Sequence, residues 1–220
     1  YDRDDRDKCR FTRGSVVCGP RTVPTTLDTQ RQEFVIGVQF KPGGAVPFFG
    51  LPTRELANAH VALADLWGAA ADELREQLLE TKTPRARLLV LENTLLRQLV
   101  RPITRHPAVD FALRAFQSGP CPINVGQVAS RTGFSQRRFI QVFHDEVGIT
   151  PKLFCRLRRF HDALCQIQGA RKPDWIAIAL DCGYFDQAHL IRDFLQFAGL
   201  TPAGYARQRG EHRYHVPVEE

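Results

Sequence analysis

The chain has 220 residues, 43% hydrophobic and 25% charged, enough for a real core and for one large or, as we expect, two small domains. A net charge of +6 and a pI near 9.2 favour an anionic partner. No apolar run approaches the ~20 residues of a membrane helix and nothing resembles a signal peptide, so we expect a soluble, cytoplasmic protein.

The chain contains no Met and opens on the charged run Tyr1 to Arg10, from which we expect the start of translation to lie upstream and the N-terminal domain to be incomplete. From Phe11 to Leu51 the runs VVCG, PRTVP, EFVIGVQF and KPGGAVPFFGLP are short and punctuated by Gly and Pro, which predicts strands and turns of a small sheet or partial barrel. The period then changes. Asp65 is the expected cap of a helix through about Glu80, with Leu66, Trp67, Ala70, Leu74 and Leu78 on one face. Thr83 and Pro84 open a second helix, Arg85 to Val100, whose broad apolar face carries Leu88, Leu89, Leu91, Leu95, Leu96 and Leu99. Two readings of that face are open: it pairs with a copy of itself, or it covers the sheet of its own domain. After Pro102 and Pro107 a short helix is expected from about Ala108 to Gln117, and SGPCP around Pro120 reads as a junction.

The six cysteines, Cys9, Cys18, Cys121, Cys155, Cys165 and Cys182, form no C-x-x-C or Cys/His cluster, so we expect reduced thiols and no metal or cofactor.

The strongest feature is an internal repeat about 50 residues apart. In the first copy Asn124 caps VGQVASRT, Gly133 and Phe134 turn, and Ser135 caps QRRFIQVFHDEV. In the second, Asp174 caps WIAIALDC, Gly183 and Tyr184 turn, and Asp186 caps QAHLIRDFLQFA. The first helices align at an offset of 50 and the second at 51, because Phe185 lengthens the second turn. Each copy closes on a related phrase, GITPKLF and GLTPAGY. Two helices joined by a short Gly turn let the second helix enter a major groove, and Ala129 and Ala179 permit close crossing of the pair.

Helical geometry then sorts the faces. In the first unit Phe139, Val142 and Phe143 point inward, leaving Arg137, Gln141 and His144 opposite with Ile140 flanking. Arg grips guanine, Gln adenine, and Ile meets a thymine methyl. In the second unit Leu190 and Phe194 point inward, leaving Ala188, Ile191 and Arg192 opposite and Gln187 in the exposed first turn. Residues 121–210 hold twelve Lys and Arg against seven Asp and Glu, so the basic surplus accompanies these faces. Between the units Thr150 and Pro151 start a longer helix to about Gln168, with Leu153, Phe154, Leu157, Phe160 and Leu164 as its stripe. If rigid, it could set the two readers about 34 Å apart, in successive grooves. Its cluster Arg156, Arg158 and Arg159 either touches phosphates or is solvated.

Residues 121–209, about two-fifths of the chain, resemble the DNA-binding domain of the AraC family of bacterial transcription regulators. The resemblance rests on VASRTGFSQRRFIQVFHDEVGITP, the long intervening helix, and GYFDQAHLIRDFLQFAGLTPAGY. It implies base-facing roles for Arg137, Ile140 and Gln141 in the first reading helix and for Gln187, Ala188, Ile191 and Arg192 in the second. One departure is Gln141, where many members carry Arg. The region GVQFKPGGAVPFFGLPTREL with ALADLWGAA resembles the regulatory domain of some actinobacterial-type members, implying a cupin-like sensor or dimerisation module. His60 and His106 lack the paired His and Glu of a metal-binding cupin.

The expectation is an α+β protein: a regulatory or dimerisation domain over 1–105, a DNA-binding domain of two helix-turn-helix units over 106–210, and a tail over 211–220. It is a non-enzymatic regulator binding double-stranded DNA, with RNA polymerase, a small-molecule effector and a second copy of the chain as further partners. Two other classes predict different behaviour. A Cys-dependent DNA-alkylation repair protein needs an activated thiolate, and a ligand-binding interaction module predicts no sequence-selective DNA binding.

Overall fold

The computed structural model describes residues 14–26, 35–117, 124–210 and Val216. The charged opening, Cys9, Cys121, the junction around Pro120 and most of the tail lie outside the described residues. The chain divides into two compact units. Of the described residues, 14–21, 35–110 and 141–149 make the first unit, and 22–26, 111–117, 124–140 and 150–210 with Val216 the second.

In the first unit β1 (Val16–Cys18) runs antiparallel to β2 (His60–Ala62), with Val17 opposite Val61. The α+β class holds, but helix dominates. Residues 35–40, expected as a strand, have no regular structure, and Val35 is 77% exposed. A strand requires a hydrogen-bonding neighbour, and this segment is instead anchored by Phe40, whose ring lies 5.1 Å from Phe48 and 5.8 Å from Phe49. AVPFFG, read as extended, forms α1 (Val46–Phe49), with Pro47 in its first turn, where a missing N–H costs nothing. A 3-10 turn follows at Thr53–Leu56.

The helix expected from Asp65 to Glu80 is two helices, α2 (Leu63–Trp67) and α3 (Ala69–Glu80). Gly68 separates them at φ 57°, ψ −137°, a conformation open only to glycine, and Asp65 lies inside the first turn rather than capping it. The break allows the Trp67 indole to donate to the Phe48 carbonyl at 2.9 Å and stack on Phe49. The helix α4 (Pro84–Arg97) begins as expected, with the Thr83 hydroxyl accepting from Ala86 N. Its Val90 and Leu91 pack on Leu63, Ala71 and Leu74, while Leu88, Leu89 and Leu96 stay more than half exposed. One face of α4 therefore covers its own unit and another remains open.

The repeat organises the rest: α5 (Pro107–Gln117), α6 (Val125–Arg131), α7 (Gln136–Val147), α8 (Pro151–Gly169), α9 (Trp175–Asp181), α10 (Gln187–Ala198) and α11 (Pro202–Gln208). In the second unit Ala163, Leu164 and Ile167 of α8 meet Ile178 and Ala179 of α9, Leu190 and Phe194 of α10, and Tyr205 of α11. Phe160 sets its ring edge-to-face on Phe194 at 4.8 Å, a favourable aromatic geometry. The helix α11 was not expected, although its start repeats that of α8. Thr201 accepts from Gly204 N at 3.1 Å as Thr150 accepts from Leu153 N at 3.4 Å, with Pro next in both.

Candidate nucleic-acid interface

Each unit of the repeat is built from the caps inward. The Asn124 amide oxygen accepts from Gly126 N at 2.9 Å, and Ser135 Oγ from Arg138 N at 3.3 Å. In the second copy Asp174 accepts from Ile176 N and Ala177 N at 3.0 and 3.1 Å, and Asp186 from His189 N at 2.7 Å. These bonds satisfy donors that have no partner inside a helix and so mark where each helix starts. Ala129 and Ala179 are 1% and 0% exposed, small enough to let each first helix seat closely. In the second turn Tyr184 N donates to Ala179 O at 2.8 Å, tucking the Tyr184 ring inside and leaving Phe185 87% exposed.

On α7, Phe139, Val142 and Phe143 are buried, as the helical phase requires. Arg137 and Gln141 are exposed, together with Gln136 and Arg138 of the first turn, while Ile140 and His144 are half-buried. His144 lies nearest the covered end of the helix, where burial, and secondarily the charge of Arg54, lower its pKa. The shift favours the neutral imidazole, which can donate from one nitrogen and accept on the other.

On α10 the inward side is Leu190, Asp193, Phe194 and Phe197. Gln187, Ala188 and Arg192 are exposed and Ile191 half-buried. Leu195, 49% exposed one turn beyond Arg192, belongs to the same face and was missed in the sequence. The offset of 51 could have found it, since Leu195 occupies the place of His144. By the same offset Gln136 corresponds to Gln187.

The basic cluster of α8 follows neither reading of the sequence. Arg156 donates to Asp193 Oδ1 from Nη2 at 2.5 Å and to Gln196 Oε1 at 2.6 Å, with its guanidinium 5.1 Å from the Phe197 ring. Arg159 lies 5.2 Å from the Tyr184 ring and within 3.4 Å of Gly183 O, and Arg158 reaches Asp162 at 3.9 Å. Arg158 thus pairs within α8, whereas Arg156 and Arg159 tie α8 to α10 and to the turn before it. Their charge also bears on His189, whose pKa is lowered first by burial and then by Arg159.

Cys18, Cys155, Cys165 and Cys182 take part in no disulfide. Cys182 is 3% exposed, and burial, aided by Asp162 and Asp181, pushes its pKa up to about 11, the opposite of an activated nucleophile. Among the described residues no group of His, Cys, Asp and Glu suits a metal ion, and no helix is long and apolar enough to cross a membrane.

Residues 128–208 match the family described as a helix-turn-helix domain. This part of the chain is therefore similar to helix-turn-helix domains. It is 31% identical over 83 residues to an HTH-type transcriptional regulator of Mycobacterium tuberculosis, covering 38% of this chain and 32% of that protein. It is 27% identical over 84 residues to an uncharacterized HTH-type transcriptional regulator of Haemophilus influenzae, covering 38% of this chain and 28% of the relative. The match thus spans about a third of the length of these relatives. Ahead of that match, residues 2–62 match a domain of unknown function (DUF6597).

Proposed function

We propose that the chain is a sequence-specific DNA-binding transcription regulator whose two reading helices enter adjacent major-groove segments. The observation that carries this reading is the repetition itself. Two helix-turn-helix units each hold a capped second helix with its aromatic side buried and a polar side open, Arg137 and Gln141 on α7 and Gln187 and Arg192 on α10. Ile140 and His144 complete the first face, and Ala188 and Ile191 the second. A bundle with a purely structural role has no need of two equivalent open faces bearing donors suited to base edges.

In this reading residues 1–105 form a regulatory or dimerisation domain and 106–210 the reading domain. The open leucines of α4 supply a surface for a second copy, and a small-molecule effector and RNA polymerase are its other partners. Its role is regulatory rather than enzymatic, and it works in the cytoplasm, where the DNA is. The test is selection of bound duplexes from a random pool at ~150 mM salt, where sequence-independent phosphate attraction is weakened. Two short enriched boxes about one helical turn apart support the reading. A featureless pool overturns it.

A further inference from the structure

The two reading helices are held at their far ends by different parts of the chain. At the offset of 51, Asp145 on α7 corresponds to Gln196 on α10. Gln196 accepts a hydrogen bond from Arg156 of the neighbouring α8. Asp145 instead pairs with Arg54, from the 3-10 turn Thr53–Leu56, ninety-one residues earlier in the chain.

Two further attachments fall on the same end of α7. Glu146 Oε1 accepts from the backbone N–H of His106 at 2.9 Å. Gly148, at φ 87°, lies so close to the N-terminal segment that a Cβ there would stand 2.7 Å from Pro20 Cγ and 2.9 Å from Thr53 Cγ2. Residues 141–149 accordingly belong to the same compact unit as residues 35–110. The proximity of Arg54 is felt as far as His144, whose pKa it helps to lower.

We propose that Arg54 is a positioning residue for the first reading helix: by gripping Asp145 it fixes the tilt at which Arg137 and Gln141 are presented. This rests on the DNA-reading function proposed above. Asp145 and Arg137 are eight residues apart, about 12 Å along the helix axis, so a tilt of ~5° at the held end moves Arg137 by roughly 1 Å. A shift of that size breaks the two-point geometry on which bidentate recognition of a base depends. Being half-exposed, the pair contributes little to the fold itself, so its loss is read in selectivity rather than in unfolding.

The test uses the full chain and its Arg54→Gln, Asp145→Asn and doubly substituted variants, each put through selection from a random duplex pool and each melted. The expected result is that both single variants relax preference in the box read by α7 while the box read by α10 stays as in the wild type. Affinity for the wild-type duplex falls ~3- to 10-fold, and the double variant is no worse than either single one. Unchanged boxes and affinity in both variants overturn the role of Arg54. Loss of both boxes together, or a clearly lowered melting temperature, would assign Arg54 to holding the fold and overturn the positioning role as well. A wild-type pool without enriched boxes overturns DNA reading itself, and this inference with it.

Discussion

Arg156 on α8 and Asp193 on α10 meet at 2.5 Å, with the carboxylate 1% exposed and the guanidinium sharing itself with Gln196 and the face of Phe197. A buried carboxylate deprived of its cation keeps its full desolvation cost, so Arg156→Ala should destabilise the second unit by about 3–5 kcal/mol. Urea unfolding measures it. A stability unchanged by Arg156→Ala, with weaker binding to all DNA alike, would make Arg156 a phosphate contact instead.

Arg137 and Lys152 are both exposed but should fail differently. Arg137→Ala should cost ~1–3 kcal/mol in specific binding and relax preference at one base pair, whereas Lys152→Ala should weaken binding to every sequence and lower the salt slope by about 1. Titrations on selected and random duplexes at several salt concentrations separate the two. Equal loss on both duplexes for Arg137→Ala would reject its base-reading role.

Leu195 puts an exposed apolar side chain on α10 where α7 has His144. If it meets a thymine methyl, replacing that thymine by deoxyuridine should weaken wild-type binding by ~0.8 kcal/mol, the value of one buried methyl group. The Leu195→Ala variant should be indifferent to the same replacement. Equal sensitivity of both proteins at every thymine of the second box would remove Leu195 from the interface.

His144 and His189 both have lowered pKa values, chiefly through burial and then through Arg54 and Arg159 respectively; Asp193 opposes the shift at His189, and Arg192 and Arg156 add to it. Their folded forms resist protonation that the unfolded chain accepts near pH 6.5, so the unfolded state binds more protons and stability falls as pH drops below that value. Above it both states are neutral and the two histidines contribute no pH dependence. Unfolding midpoints between pH 7.5 and 5.5 should decline less steeply in a His144→Gln, His189→Gln variant than in the wild type. Parallel declines would place the pH sensitivity elsewhere.

The repeat, its caps and the phase of α7 and α10 were legible in the sequence because each depends on neighbours within a turn or two. A cap oxygen meets an N–H two or three residues on, and a 3.6-residue period sorts Phe139 and Phe143 from Arg137 and Gln141 without reference to any partner. The helix α11 and Leu195 were legible too, through the same offset, had the alignment been carried to its end. The break at Gly68 left only a faint local signal, since a glycine inside a periodic stretch is often tolerated.

What tertiary structure alone decided are the partnerships over long separations. Nothing within a turn of Arg156 announces that it will pair with Asp193, thirty-seven residues away, rather than a phosphate. Nothing near Arg54 points to Asp145, or near Val17 to Val61. A charged or extended segment has its meaning completed by whatever the chain brings beside it, and that depends on packing the whole unit at once. Local periodicity therefore determined which helix faces point outward, and the tertiary fold determined which charges pair with which.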